Sequence, residues 1–336
     1  MAAIGLLVLL AVAAVSALPA DPIIRKYEET RYNYVRGPDG TPHLVDFWMK
    51  TSDLRDTAKY NPDRQNVYHL FTRENPTVSQ PLVIGNPNLL QGSNYNAARR
   101  TVILIHGYGG SPLSNFNLAL IPSYLAAADV NVVVVDWSRG AEASSTVWSA
   151  IFNLLSSGNV RDFIAFIYDN TDQPLSTINL VGDGLGALQA GIIGRRLRRQ
   201  IGYITGLDPT YWSAVQELLP QLRRNDAQYT EVIHTNVGNL GYIKPMGQVD
   251  IYPNGGINMP GCGRDDLCDH ERAYFYLAEA LTSGGFTSRQ CANYEEALLE
   301  ECTGSATVNL GGVEPKTGVT GIYSVQTNAS PPFSQG

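Results

Sequence analysis

Short runs of consecutive apolar residues alternate with longer segments of helical periodicity through the middle of the chain. The runs Thr101–His106 and Asn131–Asp136 are typical of strands buried on both faces. Similar patterns predict strands at Val67–Thr72, Ser176–Gly182, Tyr203–Asp208, Glu231–Thr235 and Val249–Tyr252, and helices at Asn115–Ala128, 144–170 with a break at Ser156–Gly158, and Leu185–Arg199. Strands and helices that alternate in this way predict a mostly parallel sheet with helices on both faces.

The N-terminus has a separate apolar pattern. The run from Ile4 to Val15 is followed by small residues, which predicts a signal peptide cleaved near Ala17, with Ala20 as a second site. That run is too short to span a bilayer, and no later stretch qualifies. We therefore expect a secreted, extracellular protein without an integral membrane segment. Its predicted parts are a signal peptide (1–17), an N-terminal extension (18–60) and one domain (61–336).

Composition, net charge and the cysteines limit the kinds of fold and partner that the chain can have. Hydrophobic residues make up 44% and charged residues 16% of the chain, which favours a globular core, and the net charge of −7 argues against a nucleic-acid partner. Four cysteines, Cys262, Cys268, Cys291 and Cys302, lie in the last quarter. In an exported chain we expect them to pair locally, 262 with 268 and 291 with 302, the alternative being free thiols. Their spacing does not suit zinc, and neither a metal nor a cofactor is predicted.

The strongest chemical signal is the sequence Gly182-Asp-Gly-Leu-Gly186 between a strand and a helix. A strand, a Gly-x-x-x-Gly turn and a helix form the nucleophile elbow of α/β-hydrolases. Its central residue must carry an attacking oxygen or sulfur, and here that residue is Gly184. We expect the neighbouring Asp183 to repel a developing oxyanion and to point its side chain away from the site, so that it does not replace the nucleophile.

Other candidate residues follow in the order that this fold uses. Asp208 at the end of the next strand is a candidate acid, and His270, expected just ahead of a helix, is a candidate base. The backbone N–H groups of Tyr108 and Leu185 could form an oxyanion hole. His106 is expected to shape the loop that carries Tyr108. A cluster of basic residues should either interact with a helix C-terminus or bind an anionic headgroup; its members are Arg195, Arg196, Arg198 and Arg199.

Taken together, several segments resemble the pancreatic-lipase family of animal lipases and phospholipases A1, and most of all its insect secreted branch. They are Tyr68–Arg73, Ile105–Gly107, Val135–Trp137, Ile204–Pro209, Val232–Asn236, Val249–Gly256, Pro260–Cys262, His270–Arg272 and Thr327–Phe333. The resemblance implies a lipase-type α/β-hydrolase fold, without a C-terminal β-sandwich domain. It also implies Asp208 and His270 as triad acid and base, and Tyr108 and Leu185 as oxyanion-hole donors.

The elbow departs from this family at two of its five positions. The family sequence is Gly-His-Ser-Leu-Gly, whereas this chain has Gly-Asp-Gly-Leu-Gly. Because some family members that lost the serine became yolk or binding proteins, the resemblance favours a non-catalytic lipid-binding or yolk-type storage protein, with a lipid or acyl chain as partner. The alternative is a weakly active or fully active carboxylic ester hydrolase, either a lipase or a phospholipase A1.

Overall fold

The computed structural model describes residues 32–36, 42–46, 60–141, 146–211 and 220–336, with the backbone alone for 32–36, 42–46 and 146–151. The predicted signal peptide lies outside the described residues. The strands are β1 Tyr32–Arg36, β2 Pro42–Asp46, β3 Val67–Phe71, β4 Gln80–Leu82, β5 Thr101–Ile105, β6 Asn131–Asp136, β7 Ile178–Asp183, β8 Tyr203–Leu207, β9 Tyr229–Ile233, β10 Val249–Pro253, β11 Thr287–Cys291, β12 Thr307–Asn309 and β13 Gly321–Val325. The α-helices are α1 Pro62–Gln65, α2 Pro87–Gln91, α3 Asn115–Ala127, α4 Ser138–Ala141, α5 Thr146–Thr171, α6 Leu185–Arg196, α7 Asp266–Thr282 and α8 Tyr294–Leu299.

Eleven strands form one mixed sheet in the order β12-β11-β13-β10-β9-β8-β7-β5-β6-β3-β4, while β1 and β2 pair separately as an antiparallel hairpin. The seven strands from β13 to β6 run parallel, and antiparallel strands extend both edges. The carboxyl ends of the parallel strands therefore meet along one edge of the sheet, which is where side chains that follow β5, β7 and β8 can converge.

Two layers of helices cover the two faces of the sheet, and successive side chains of each strand point to opposite layers. Val133 and Val135 face the layer formed by α5 and α6, whereas Val132 and Val134 face α3 and α7. Every residue of β5, β7, β8, β9 and β10 is buried, which explains the continuous apolar run of β5. This is the α/β-hydrolase fold, as predicted.

The predicted break in the long central helix is wrong, because α5 is continuous through Ser156–Gly158. The small residues serve packing instead. Ser156 and Ser157 are fully buried, the Ser157 hydroxyl donates to the carbonyl of Leu154 at 2.7 Å, and Gly158 leaves room for the guanidinium of Arg196 on α6. A second difference is that α6 ends at Arg196 rather than Arg199, since Arg198 and Arg199 both have left-handed φ.

Six strands were not predicted: β1 and β2 of the separate pair, and β4, β11, β12 and β13 of the large sheet. The sequence of β11, Thr-Ser-Arg-Gln-Cys, is polar because only Ser288 and Cys291 of that strand, the second from the edge of the sheet, are buried. The disulfide Cys291–Cys302 ties the end of β11 to the chain after α8, and the disulfide Cys262–Cys268 closes the loop before α7. Both pairings are those predicted from the local spacing.

Candidate active site

The elbow keeps the backbone of a nucleophile turn. Gly184, between β7 and α6, has φ 52° and ψ −109°, a conformation that glycine adopts far more readily than residues with a Cβ. On either side, a Cβ on Gly186 would overlap the carbonyl oxygen of Ile105, and a Cβ on Gly182 would overlap the backbone of Gly186. The two flanking glycines thus allow β5, β7 and α6 to approach closely, as the sequence indicated.

The candidate base is held by the start of a helix. His270 lies within the first turns of α7 rather than ahead of it, which corrects the sequence-based expectation. The helix is capped by Asp265, whose side chain accepts hydrogen bonds from the N–H groups of Leu267 and Cys268. Because the disulfide at Cys268 and this cap fix the beginning of α7, they also fix the direction of the imidazole.

The candidate acid is buried and fully bonded. Asp208 follows β8 with φ 39°, and one carboxylate oxygen accepts the backbone N–H groups of Thr235 and Asn236, both at 2.9 Å. The other oxygen lies 2.6 Å from Nδ1 of His270. Gly241 is required beside it, since any Cβ there would overlap the carboxylate. Asp208 and His270 are therefore in the contact that their predicted roles as acid and base require.

The position of the absent nucleophile faces this pair. A Cβ built on Gly184 would lie 3.3 Å from Nε2 of His270 and 3.0 Å from the hydroxyl oxygen of Thr210. A serine hydroxyl at this position would thus lie beside the imidazole nitrogen that accepts its proton in a triad. The structure brings Gly184, Asp208 and His270 together. Thr210 was not among the sequence-based candidates, although it lies only two residues after Asp208.

Asp183 points toward the site, not away from it as expected. Its Oδ1 lies 3.4 Å from Nε2 of His270, and its Oδ2 lies 3.0 Å from a Cβ built on Gly107. Burial raises the pKa of Asp183 to about 6, against the opposing positive charge of His270. Burial by itself lowers the pKa of His270, but the charges of Asp183 and Asp208 outweigh it and raise that pKa to about 9. At neutral pH an imidazolium therefore lies between two carboxylates.

The predicted oxyanion-hole residues flank the elbow. Leu185 is the buried first residue of α6, and its carbonyl accepts a 2.8 Å hydrogen bond from the Asn153 amide; Tyr108 is half-buried in the loop after β5. That loop is shaped by His106, whose ring stacks on Trp137 and whose backbone carbonyl accepts the indole N–H at 2.9 Å. Burial lowers the pKa of His106 to about 4, so its ring is neutral and structural. The oxyanion role of Tyr108 and Leu185 stays a prediction.

The basic residues at the end of α6 lie away from this site. Arg195 pairs with the buried Asp226, and Arg196 donates to Ser157, so the cluster at the end of α6 is partly structural. Among the described residues, no group of three or more His, Cys, Asp or Glu side chains is arranged to hold a metal ion. None of the described helices is long and apolar enough to cross a membrane.

Comparison with known proteins agrees with this geometry. The family model described as Lipase matches residues 45–333. The chain belongs to the lipase family. It is 35% identical to lipase member H-A of Xenopus laevis over 251 residues, which are 70% of this chain and 52% of that protein. It is 32% identical to inactive pancreatic lipase-related protein 1 of Mus musculus over 273 residues, 72% of this chain and 57% of that protein.

Pancreatic triacylglycerol lipase of Cavia porcellus is also similar, at 30% identity over 289 residues, 77% of this chain and 62% of that protein. The similar lipase-family proteins thus include some named as lipases and one named as inactive. This chain spans about half the length of the curated relatives it matches. Membership in the lipase family establishes the class of fold and leaves the activity of this chain to its own residues.

Proposed function

We propose that this protein is a secreted, non-catalytic member of the lipase family that binds a lipid or acyl-chain ligand. The observation that carries the proposal is the residue at the apex of the elbow. Gly184 has no side-chain oxygen, yet a Cβ there would lie 3.3 Å from the imidazole that would activate one. Without an oxygen at that point no acyl intermediate forms, and loss of the nucleophile lowers kcat by roughly 10⁶-fold in serine hydrolases.

Asp183 adds to the loss. Its carboxylate lies 3.4 Å from Nε2 of His270, where a triad has the nucleophile hydroxyl, and it keeps the imidazole protonated at neutral pH. A protonated imidazole cannot act as a general base. A carboxylate at this point would also repel the negative charge that develops on an acyl oxygen.

Secretion is part of the same proposal. It is supported by the predicted signal peptide at the N-terminus and by the two disulfides, which form and persist in oxidising compartments. Membership of the insect secreted branch and a yolk-type storage role rest on the sequence resemblance. A storage role would need abundance in eggs and no bound lipid, whereas a carrier would be isolated with lipid.

A second candidate function is slow or full carboxylic ester hydrolysis. It is favoured by the intact Asp208–His270 pair, with its 2.6 Å contact, and by the elbow backbone of Gly184. In that case a water molecule near His270 would have to replace the serine hydroxyl.

The two candidates separate in one experiment on the purified mature protein. We expect no turnover of p-nitrophenyl butyrate above an equal amount of the His270→Ala variant, and no covalent labelling by a fluorophosphonate probe. We also expect saturable binding of a fluorescent acyl-chain analogue by both proteins. Turnover abolished by His270→Ala would overturn the proposal in favour of hydrolysis. Absence of binding to every acyl chain tested would overturn the lipid-binding role.

A further inference from the structure

Asp183 offers a buried hydrogen-bond acceptor that the protein does not fill. Its Oδ1 has no hydrogen-bond partner, and the residue is only 9% exposed. The 3.4 Å contact with Nε2 of His270 is an ion pair without hydrogen-bond geometry. Since a buried carboxylate oxygen without a donor costs about 1–3 kcal/mol, the site is set up to receive an O–H or N–H group.

The imidazole of His270 joins this oxygen to the position that Gly184 leaves without a side chain, since Nε2 lies 3.4 Å from Oδ1 and 3.3 Å from a Cβ built on Gly184. Gly184 lacks the side chain that a serine would place there, and the missing Cβ position is bordered by the Thr210 hydroxyl at 3.0 Å and His270 Nε2 at 3.3 Å. The side chains of Asp183 and His270 are 12% and 13% exposed, so the pair reaches the surface at this edge of the sheet. A hydroxyl group entering here would meet Asp183 as acceptor and Thr210 as a further polar neighbour.

The charge of the site decides which head group it accepts. One imidazolium lies between the carboxylates of Asp183 and Asp208, and Glu271 adds a further negative charge nearby. The net charge is negative, so a fatty-acid carboxylate or a phosphate would be repelled, since like charges at a few ångströms disfavour each other strongly in a buried site. A neutral group that donates a hydrogen bond is free of this penalty.

We propose that the ligand of this site is a neutral single-chain lipid with a hydroxyl head group, whose O–H donates to the carboxylate of Asp183. The inference rests on the proposed lipid-binding function and names its ligand class. It assigns Asp183 as the residue that selects hydroxyl over carboxylate head groups.

The test compares three ten-carbon ligands by titration calorimetry at pH 7.5: 1-decanol, decanoate and decyl methyl ether. We expect 1-decanol to bind at least about tenfold more tightly than either of the others, because only it is both neutral and a donor. In Asp183→Asn the negative charge is removed, so decanoate should gain at least about fivefold and the preference for 1-decanol should disappear. Asp136→Asn, an aspartate at the end of β6, is the matched control and should keep the wild-type order.

Each outcome decides a separate point. Decanoate binding as tightly as 1-decanol to the wild-type protein would overturn the inference and leave the lipid-binding function standing. Ether binding as tightly as 1-decanol would show that the donor is irrelevant and would overturn it too. Failure of all three ligands, and of longer chains, would overturn the proposed function with it. If Asp183→Asn does not fold, the order in the wild-type protein still decides.

Discussion

The two sides of the candidate site differ in how completely their polar groups are bonded. On the acid–base side, Asp208 accepts two backbone N–H groups and contacts His270, so each oxygen has a partner. On the elbow side, Gly184 has no side chain, and Oδ1 of Asp183 has an ion-pair contact with His270 but no hydrogen bond. The acid–base side thus has a hydrogen bond for each carboxylate oxygen, whereas the elbow side has a glycine at its apex and a carboxylate beside it. The proposed loss of catalysis is therefore confined to the elbow side.

The first experiment asks whether the close packing of the elbow is still required for stability. In Gly186→Ala the new Cβ would overlap the carbonyl oxygen of Ile105, and backbone atoms on both sides cannot move apart cheaply. We expect a loss on the order of 4 kcal/mol in the free energy of unfolding, measured with urea. The control is Gly158→Ala, whose Cβ would meet only the flexible guanidinium of Arg196 at 3.0 Å and which should cost little. Tolerance of Gly186→Ala would mean that tight packing at the elbow is unimportant.

A second experiment restores the chemistry of the elbow side. Gly184→Ser places an oxygen beside His270, and Asp183→His removes the competing carboxylate. We expect the double variant to hydrolyse p-nitrophenyl butyrate at least about 10³-fold faster than the wild-type protein, given the roughly 10⁶-fold contribution of such a nucleophile. Gly184→Ser alone should recover less, because Asp183 still engages the imidazole. No activity in the double variant would show that the acid–base side is not competent.

A third experiment compares the two carboxylates directly. Asp208→Asn should lower the free energy of unfolding by about 3 kcal/mol, because one amide cannot accept two backbone N–H groups and also serve the imidazolium. Asp183→Asn should change it by less than about 1 kcal/mol, since the lost ion pair is offset by removal of a buried charge. Equal losses in urea denaturation would contradict the distinction between the two sides.

The smallest expected effect is on pH dependence. The pKa of His270 rises from 6.5 to about 9 on folding, so the imidazolium adds stability that is complete below pH 6.5 and is lost as the pH rises through about 9. We expect the wild-type protein to lose on the order of 2 kcal/mol of unfolding free energy between pH 6.5 and 9.5. The variant with both His270→Gln and Asp183→Asn should lose much less over the same range, because neither group of the ion pair remains to titrate. Parallel pH profiles for the two proteins would show that His270 is not held protonated.

The sequence alone determined the parallel core of the sheet, both disulfide pairings and the place of the elbow. Buried strands such as β5 and β6 are continuously apolar because both of their faces are covered. The absence of a side-chain oxygen at the apex of the elbow follows from the residue type of Gly184 alone. Local chemistry of this kind can be inferred from neighbouring residues. Strand β11 could not be inferred in this way, because its polar residues pair with β12 and β13, which lie further along the chain.

Only the tertiary structure decided what surrounds the elbow. The direction of the Asp183 side chain depends on α7, which brings His270 to it from 87 positions along the chain, as the two residue numbers show. Likewise Ser156–Gly158 suggested a helix break in sequence, but packing against α6 makes those small residues part of one continuous helix. Both were decided by neighbours remote in sequence, because electrostatic partners and packing contacts depend on how the chain folds back on itself and not on local pattern.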